Sequence, residues 1–158
     1  MSPFPREPYR RIARYAPDRW PVEVDLSDNT NRWGPHPGAL RALRATPEED
    51  LVRYPSVYAD GIRGAIAQRF DVPEESVVTG CGSDDLLDSI FRAAGDGGER
   101  VAYLPPTFSM VQVFARASGL DPDPVPMEVA AEPEALVERR AAVVYVCRPN
   151  NPTGEAAP

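Results

Sequence analysis

"RVAYLPPTFSMVQVFARASG", residues 100–119, decides the fold class. "RVAYL" has the length and apolar character of a buried strand. Two prolines end it, because neither can donate to a sheet ladder. "FSMVQVFARAS" then reads as a helix, and Gly119 stops it. The same alternation continues on both sides. Upstream, "SVVTG" (76–80) reads as a short β-branched strand. "SDDLLDSIFRAA" (83–94) reads as a helix, with Leu87, Ile90, Phe91 and Ala94 at i, i+3, i+4 and i+7. Downstream, "DPVPM" (123–127) is a weak strand, edge-like because of its prolines. "PEALVERR" (133–140) is a short helix, and "AAVVYVC" (141–147) is a strand apolar on both faces. Uniformly apolar strands between helices of about three turns predict an α/β fold, a mostly parallel sheet flanked by helices.

The first half of the chain is different. Residues 1–37 read as an irregular N-terminal arm interrupted by seven prolines, with a short helical pattern near Tyr9 to Tyr15. Its Trp20 and Trp33 need a surface to cover, such as a second subunit. Gly38 to Arg44 reads as a short helix, 46–58 as a loop, and Ala59 to Phe70 as a longer helix with Ile62, Ala65, Ile66 and Arg69 on one face. The division expected is an arm over 1–37 and a sheet domain over 38–158. The last strand looks central, yet only eleven loop residues, 148–158, follow it. A buried parallel strand needs neighbours on both edges, so the sequence reads as the front part of a larger domain, incomplete after "NNPTG".

The net charge of −7 argues against general nucleic-acid binding. No apolar run approaches the ~20 residues of a membrane span, and the basic N-terminus has no apolar stretch behind it. Two cysteines make no disulfide framework, which points to the cytoplasm. No Cys/His cluster has metal spacing. All seventeen basic residues are arginine, so the chain holds no lysine and cannot form a lysine Schiff base.

Four stretches could carry chemistry. "VVTGCGSDD" (77–85) runs from a strand through glycines into a helix start, whose free N–H groups and positive dipole end suit a phosphate. A plain capped helix with Ser83 as N-cap is the competing reading. Asp85 breaks a dinucleotide fingerprint, and a P-loop needs the missing lysine. The glycine loop of S-adenosylmethionine-dependent methyltransferases is matched in part, with Thr79 and Asp84 in place of the acidic and small residues. "LPPTFSM" (104–110) lies at a strand end, where open α/β sheets place ligands; Phe108 can stack on a flat ligand or cap the core. "RPNNPTG" (148–154) also follows a strand end. The amides of Asn150 and Asn151 can donate to an anionic oxygen, or serve a plain turn. In "RYPSVY" (53–58), Tyr54 is held extended by the following proline. His36, between two prolines, reads as a surface residue.

In order, these pieces resemble the N-terminal part of class I/II pyridoxal-phosphate-dependent aminotransferases, most closely the histidinol-phosphate aminotransferase group. "DLSDNTNRWGPHP" (25–37), "RYPS" (53–56), "GCGSDD" (80–85), "PPTFSM" (105–110) and "PNNPTG" (149–154) follow in family order from about residue 9 onward. The resemblance implies an incomplete fold-type-I large domain behind the arm, and pyridoxal 5'-phosphate as cofactor. It implies that Gly82, Ser83 and Asp84 cradle the phosphate, that Phe108 stacks on the pyridine ring, and that Asn151 bonds the ring's phenolic oxygen. Tyr54 would reach the phosphate of the neighbouring subunit of a homodimer, and Asn29 would lie near the substrate.

The family's remaining machinery lies beyond "NPTG": the aspartate facing the pyridine nitrogen, the imine-forming lysine and the arginine that grips the substrate carboxylate. The resemblance therefore implies an amino-group transferase between an amino acid or amino alcohol phosphate and a 2-oxo acid. This segment alone is expected to bind the cofactor weakly or not at all, and to be inactive. Two other readings stand beside it: a non-catalytic partner subunit of a split or full-length aminotransferase, and an S-adenosylmethionine-binding domain.

Overall fold

The computed structural model describes residues 4–12, 20–25, 30–131 and 133–156. In chain order the elements are α1 (Glu7–Arg10), α2 (Pro37–Arg44), α3 (Glu48–Leu51), α4 (Asp60–Phe70), α5 (Ser83–Ala94), β1 (Arg100–Tyr103), α6 (Met110–Ser118), β2 (Asp121–Pro124), α7 (Pro133–Glu138) and β3 (Val143–Tyr145). Two 3₁₀ turns, Glu74–Ser76 and Met127–Ala131, complete them. The chain divides into two compact units, one of residues 15–78 and one of residues 1–14 with 79–158.

The second of these is built on β1. Its residues Val101, Ala102 and Tyr103, and Leu104 just beyond it, are all essentially buried, and their alternation feeds two cores. Val101 and Tyr103 pack with Phe91 of α5, Val111 and Ala115 of α6, and Leu120. Ala102 and Leu104 point the other way, to Val125, Met127, Val129 and Leu136. A strand covered on both faces explains its unbroken apolar sequence. The sheet is β2-β1-β3, parallel throughout, with Ala102 opposite Asp123 and Val144. Gly119, at φ +83, lets the chain leave α6 in the left-handed conformation and enter β2. At the N-terminus, Arg6 reaches the Ala117 carbonyl at 3.3 Å, which fastens α1 to α6.

Several expectations shift. Residues 77–80 form no strand among the described residues, and Val78 is exposed; β-branched composition alone gives no strand without a paired edge. The proline-containing strand begins two residues earlier than its sequence suggests, at Asp121, and just beyond it Val125 donates its amide to the Tyr103 carbonyl at 2.8 Å while its side chain enters the core beside Leu104. The strand does lie at an edge. β3, which looked central, occupies the opposite edge. On α5, Leu87 and Phe91 face the core while Ile90 is half exposed, so the buried stripe is narrower than its periodicity suggests.

In the other unit, α4 buries only Ala67; Ile62 and Phe70 are largely exposed. Arg63 holds the following 3₁₀ turn by donating to the Glu74 and Val77 carbonyls at 2.9 and 3.1 Å. His36 caps α2, its Nδ1 accepting from the Gly38 amide at 3.1 Å. The 46–58 loop contains the single turn α3. Trp20 and Trp33 of the arm are exposed.

Phe91 is fully buried and Ile90 is not. Phe91→Ala is therefore expected to cost roughly 3–5 kcal/mol through lost burial and a cavity, and Ile90→Ala well under that. Urea unfolding midpoints of the two variants check the difference.

Candidate functional site

The C-terminal ends of β1 and β3 lie side by side in the parallel sheet. Each runs into one of the proline-rich motifs. Asn150 joins the two motifs. Its side-chain carbonyl accepts from Thr107 Oγ1 at 2.8 Å, and its Nδ2 donates to the Pro106 carbonyl at 2.8 Å. Nδ2 also donates to Thr153 Oγ1 at 3.0 Å. The turn closes on the same residue, with the Asn150 amide donating to the Glu155 carbonyl and the Gly154 amide donating to the Asn150 carbonyl, both at 2.7 Å. The expectation that Asn150 offers its amide to a ligand is thus corrected. The group is buried and its bonding capacity is spent within the protein.

Asn151 is the opposite case. It is half-buried, and its side chain makes no hydrogen bond among the described residues. Phe108, one residue beyond Thr107, is also half-buried and packs against the Phe91 core. Its ring thus has a core-facing part and an exposed part. The motifs "PPTF" and "NN" are brought together by Asn150, with Phe108 and Asn151 each one residue beyond the bonded pair, a Cα step of about 3.8 Å.

The glycine loop stands at the start of α5. That helix turns back into β1 through residues 95–99, so its N-terminal end is directed toward the C-terminal ends of the strands. Gly82, at φ +86, is the N-cap, and no side chain caps the helix. This corrects the plain-cap reading of Ser83, which is instead the first helical residue. The first amides of α5 and the Ser83 hydroxyl are left available. A Cβ on Gly82 would meet nothing within 4 Å, so the loop is open there. Sequence reasoning missed the loop's internal brace. Asp85 turns back to accept from the Cys81 amide at 2.9 Å, and a Cβ on Gly80 would come within 2.8 Å of the same carboxylate. The i+4 spacing of Asp85 from Cys81 is the signal that could have found it.

Beside the site, Tyr145 on β3 has its phenol pushed up to about 12, chiefly by burial and further by the neighbouring Cys147 thiol. Burial also raises Tyr103, partly opposed by the Arg116 guanidinium. A cavity of about 340 Å³ lies behind the turn, lined by Leu104, Met127, Val146, Cys147, Asn150, Glu155 and Ala156. In the other unit, Tyr54 is fully exposed in the loop before α4. Asn29 lies outside the described residues.

The available groups suit a phosphate bearing a flat ring: helix-start amides and a hydroxyl for the anion, an aromatic face, and an uncommitted amide. No lysine accompanies them. Comparison with known proteins agrees with that chemistry. The family model for aminotransferase class I and II matches residues 21–158. The chain belongs to the class I and II aminotransferases. Among curated relatives of this family, an aromatic amino acid aminotransferase of Thermobifida fusca is 37% identical over 98% of the chain and 45% of its own length. A histidinol-phosphate aminotransferase of Paramagnetospirillum magneticum is 34% identical over 99% of the chain and 46% of its own length. The chain thus spans less than half the length of these relatives. The fold matches histidinol-phosphate aminotransferase from Sinorhizobium meliloti, solved in complex with pyridoxal-5'-phosphate. The TM-score is 0.67 at 24% identity, covering 76% of this chain and 34% of that one. It also matches LysN, an α-aminoadipate aminotransferase of Thermus thermophilus, at TM-score 0.62, 27% identity and 76% and 32% coverage.

Two outcomes test this geometry. Gly80→Ala and Asp85→Ala each break the same brace, so their costs in a double-mutant cycle should fall short of additivity by about 0.5 kcal/mol or more; additive costs would contradict the contact. For Tyr145, the folded phenol ionises near 12, above the unfolded value of about 10. The stability it contributes is present below pH 10 and is lost as pH rises toward 12. Alkaline absorbance titration of wild type against Tyr145→Phe should show the missing phenol as the late one.

Proposed function

We propose that this chain supplies the cofactor-binding half of a pyridoxal-phosphate-dependent aminotransferase of the histidinol-phosphate type. The observation that carries this is the Asn150 junction. It sets an aromatic ring and an uncommitted amide at the C-terminal end of the sheet, toward which an uncapped helix start is also directed. Gly82, Ser83 and Asp84 would hold the phosphate through the first amides of α5 and the Ser83 hydroxyl, where the helix dipole favours an anion. Phe108 would cover one face of the ring and exclude water from it. Asn151 would donate to the phenolic oxygen and so fix the ring's orientation. When bound, pyridoxal phosphate supplies the electron sink that makes amino-group transfer possible.

Substrates of the whole protein would be an amino acid or amino alcohol phosphate and a 2-oxo acid. The two kinds of relative, aromatic and histidinol-phosphate, both place a flat ring on the amino substrate. Asn29 would lie on the substrate side. Tyr54 would act in trans in a homodimer; its full exposure, before the proline that holds it extended, supports that role. The setting would be biosynthetic and cytoplasmic, with both cysteines free. The S-adenosylmethionine reading leaves the 149–154 turn without a role.

A second reading is favoured by one surface. Leu51, Val52, Tyr54, Val57 and Tyr58 are all largely exposed within eight residues, which suits a partner subunit. In that case the chain would complete a separately made aminotransferase half without catalysis of its own.

With no lysine to move the proton, the purified 158-residue chain is expected to give no transamination with glutamate and a 2-oxo acid. Borohydride treatment with pyridoxal phosphate should trap no adduct on an internal residue. Measurable turnover, or an internal adduct, would contradict the assignment of roles. Co-purification of a defined aminotransferase-like partner would favour the second reading.

A further inference from the structure

Among the described residues, Asn150 is the one polar side chain in the buried class, 6% exposed. Burying an amide is costly unless every group finds a partner, and here each one does. One lone-pair side faces a hydroxyl, Thr107. The two N–H bonds face a carbonyl, Pro106, and a second hydroxyl, Thr153. The reverse orientation of the amide would set its oxygen against the Pro106 carbonyl, so the network fixes which end is which. Two of these bonds cross 43 and 44 residues of sequence, from the turn after β3 to the turn after β1. The third stays inside the turn.

That pattern is more specific than a turn requires. The turn is already closed by the backbone bonds that Asn150 makes to Gly154 and Glu155. The long-range pair adds nothing to the turn itself. It fixes the position of one loop against the other, and the residues carried one step beyond it are Asn151 and Phe108. We infer that Asn150 is a positioning residue: it touches no ligand, and it sets Asn151 and Phe108 in register for a bound pyridine ring by clamping the "PPTF" loop to the "PNNPTG" turn. Thr107 is its partner in the clamp. The inference rests on the pyridoxal phosphate reading for its purpose, and on the hydrogen bonds alone for its geometry.

The chemistry of the clamp is selective. Aspartate at 150 would keep the acceptor for Thr107 but, when ionised, would offer no donor and would face the Pro106 carbonyl. Serine at 107 would keep the hydroxyl; valine would keep the shape and lose it. Noncovalent binding of pyridoxal 5'-phosphate and of inorganic phosphate to the 158-residue chain, by titration calorimetry, separates positioning from folding. Asn150→Asp and Thr107→Val should weaken pyridoxal phosphate about fivefold to tenfold, the equivalent of about one hydrogen bond. Inorganic phosphate should be unchanged, because its cradle at α5 is separate. Thr107→Ser should behave as wild type. Equal loss of both ligands, or no loss of either in folded variants, would overturn the inference. The side-chain amide resonance of Asn151 and the ring resonances of Phe108, recorded without ligand, keep the two claims apart. They should move in Thr107→Val and stay in Thr107→Ser. If they do so while the wild-type chain binds no pyridoxal phosphate, the clamp stands and its purpose toward a bound ring in this chain falls. If they stay in both, the clamp falls whatever the chain binds.

Discussion

Everything in the sheet unit depends on the burial of β1 from both sides. Four consecutive residues, Val101 to Leu104, are removed from water, with α5 and α6 on one face and the Met127–Ala131 turn and α7 on the other. A strand so placed cannot end in open chain without stranding backbone groups. It ends instead in two prolines, which lack the N–H that would need a partner. The Pro106 carbonyl is then taken up by Asn150. The same constraint that makes the strand a core element thus delivers its C-terminal turn to the neighbouring one. The proposed ligand-facing groups lie at that end because the sheet is parallel.

The two edges of the sheet differ in chemistry. β2 carries prolines at 122 and 124, and its Asp123 is held by Arg139 at 3.1 Å with Arg100 nearby. Arg100 also donates to the Arg139 carbonyl, tying the strand start to the end of α7. Such an edge is closed to further pairing. β3 has no charge from Ala141 to Cys147, and Val144 and Val146 are both nearly half exposed. Its sequence is that of a strand with neighbours on both sides, which is why it read as central while the structure places it at an edge.

Much of this was legible in the sequence. β1, β3, α5 and α6 follow from apolar runs and from the stops at Pro105 and Gly119. Five motifs in order pointed to the family, whose model matches residues 21–158. What was not legible depends on pairing and on long-range bonds. "SVVTG" has strand composition but no paired neighbour among the described residues. Val125 is buried in a core that no local pattern reveals. Asn150 and Asn151 are adjacent and chemically identical in sequence; only the bond to Thr107, 43 residues away, tells the clamp from the free amide. Asp85, which in sequence only breaks a dinucleotide fingerprint, is a brace for the loop before it.

The central claim is that the helix start and the loop junction form one site. The direct measurement is a ¹H–¹⁵N titration of the chain with pyridoxal 5'-phosphate, set against pyridoxal and inorganic phosphate. The account predicts that the amides of Gly82, Ser83 and Asp84 and the side-chain amide of Asn151 shift together, with one midpoint, when phosphate and ring are joined. Inorganic phosphate should move only the first group. If pyridoxal 5'-phosphate leaves Asn151 unmoved while shifting residues 82–84, the single-site account is contradicted.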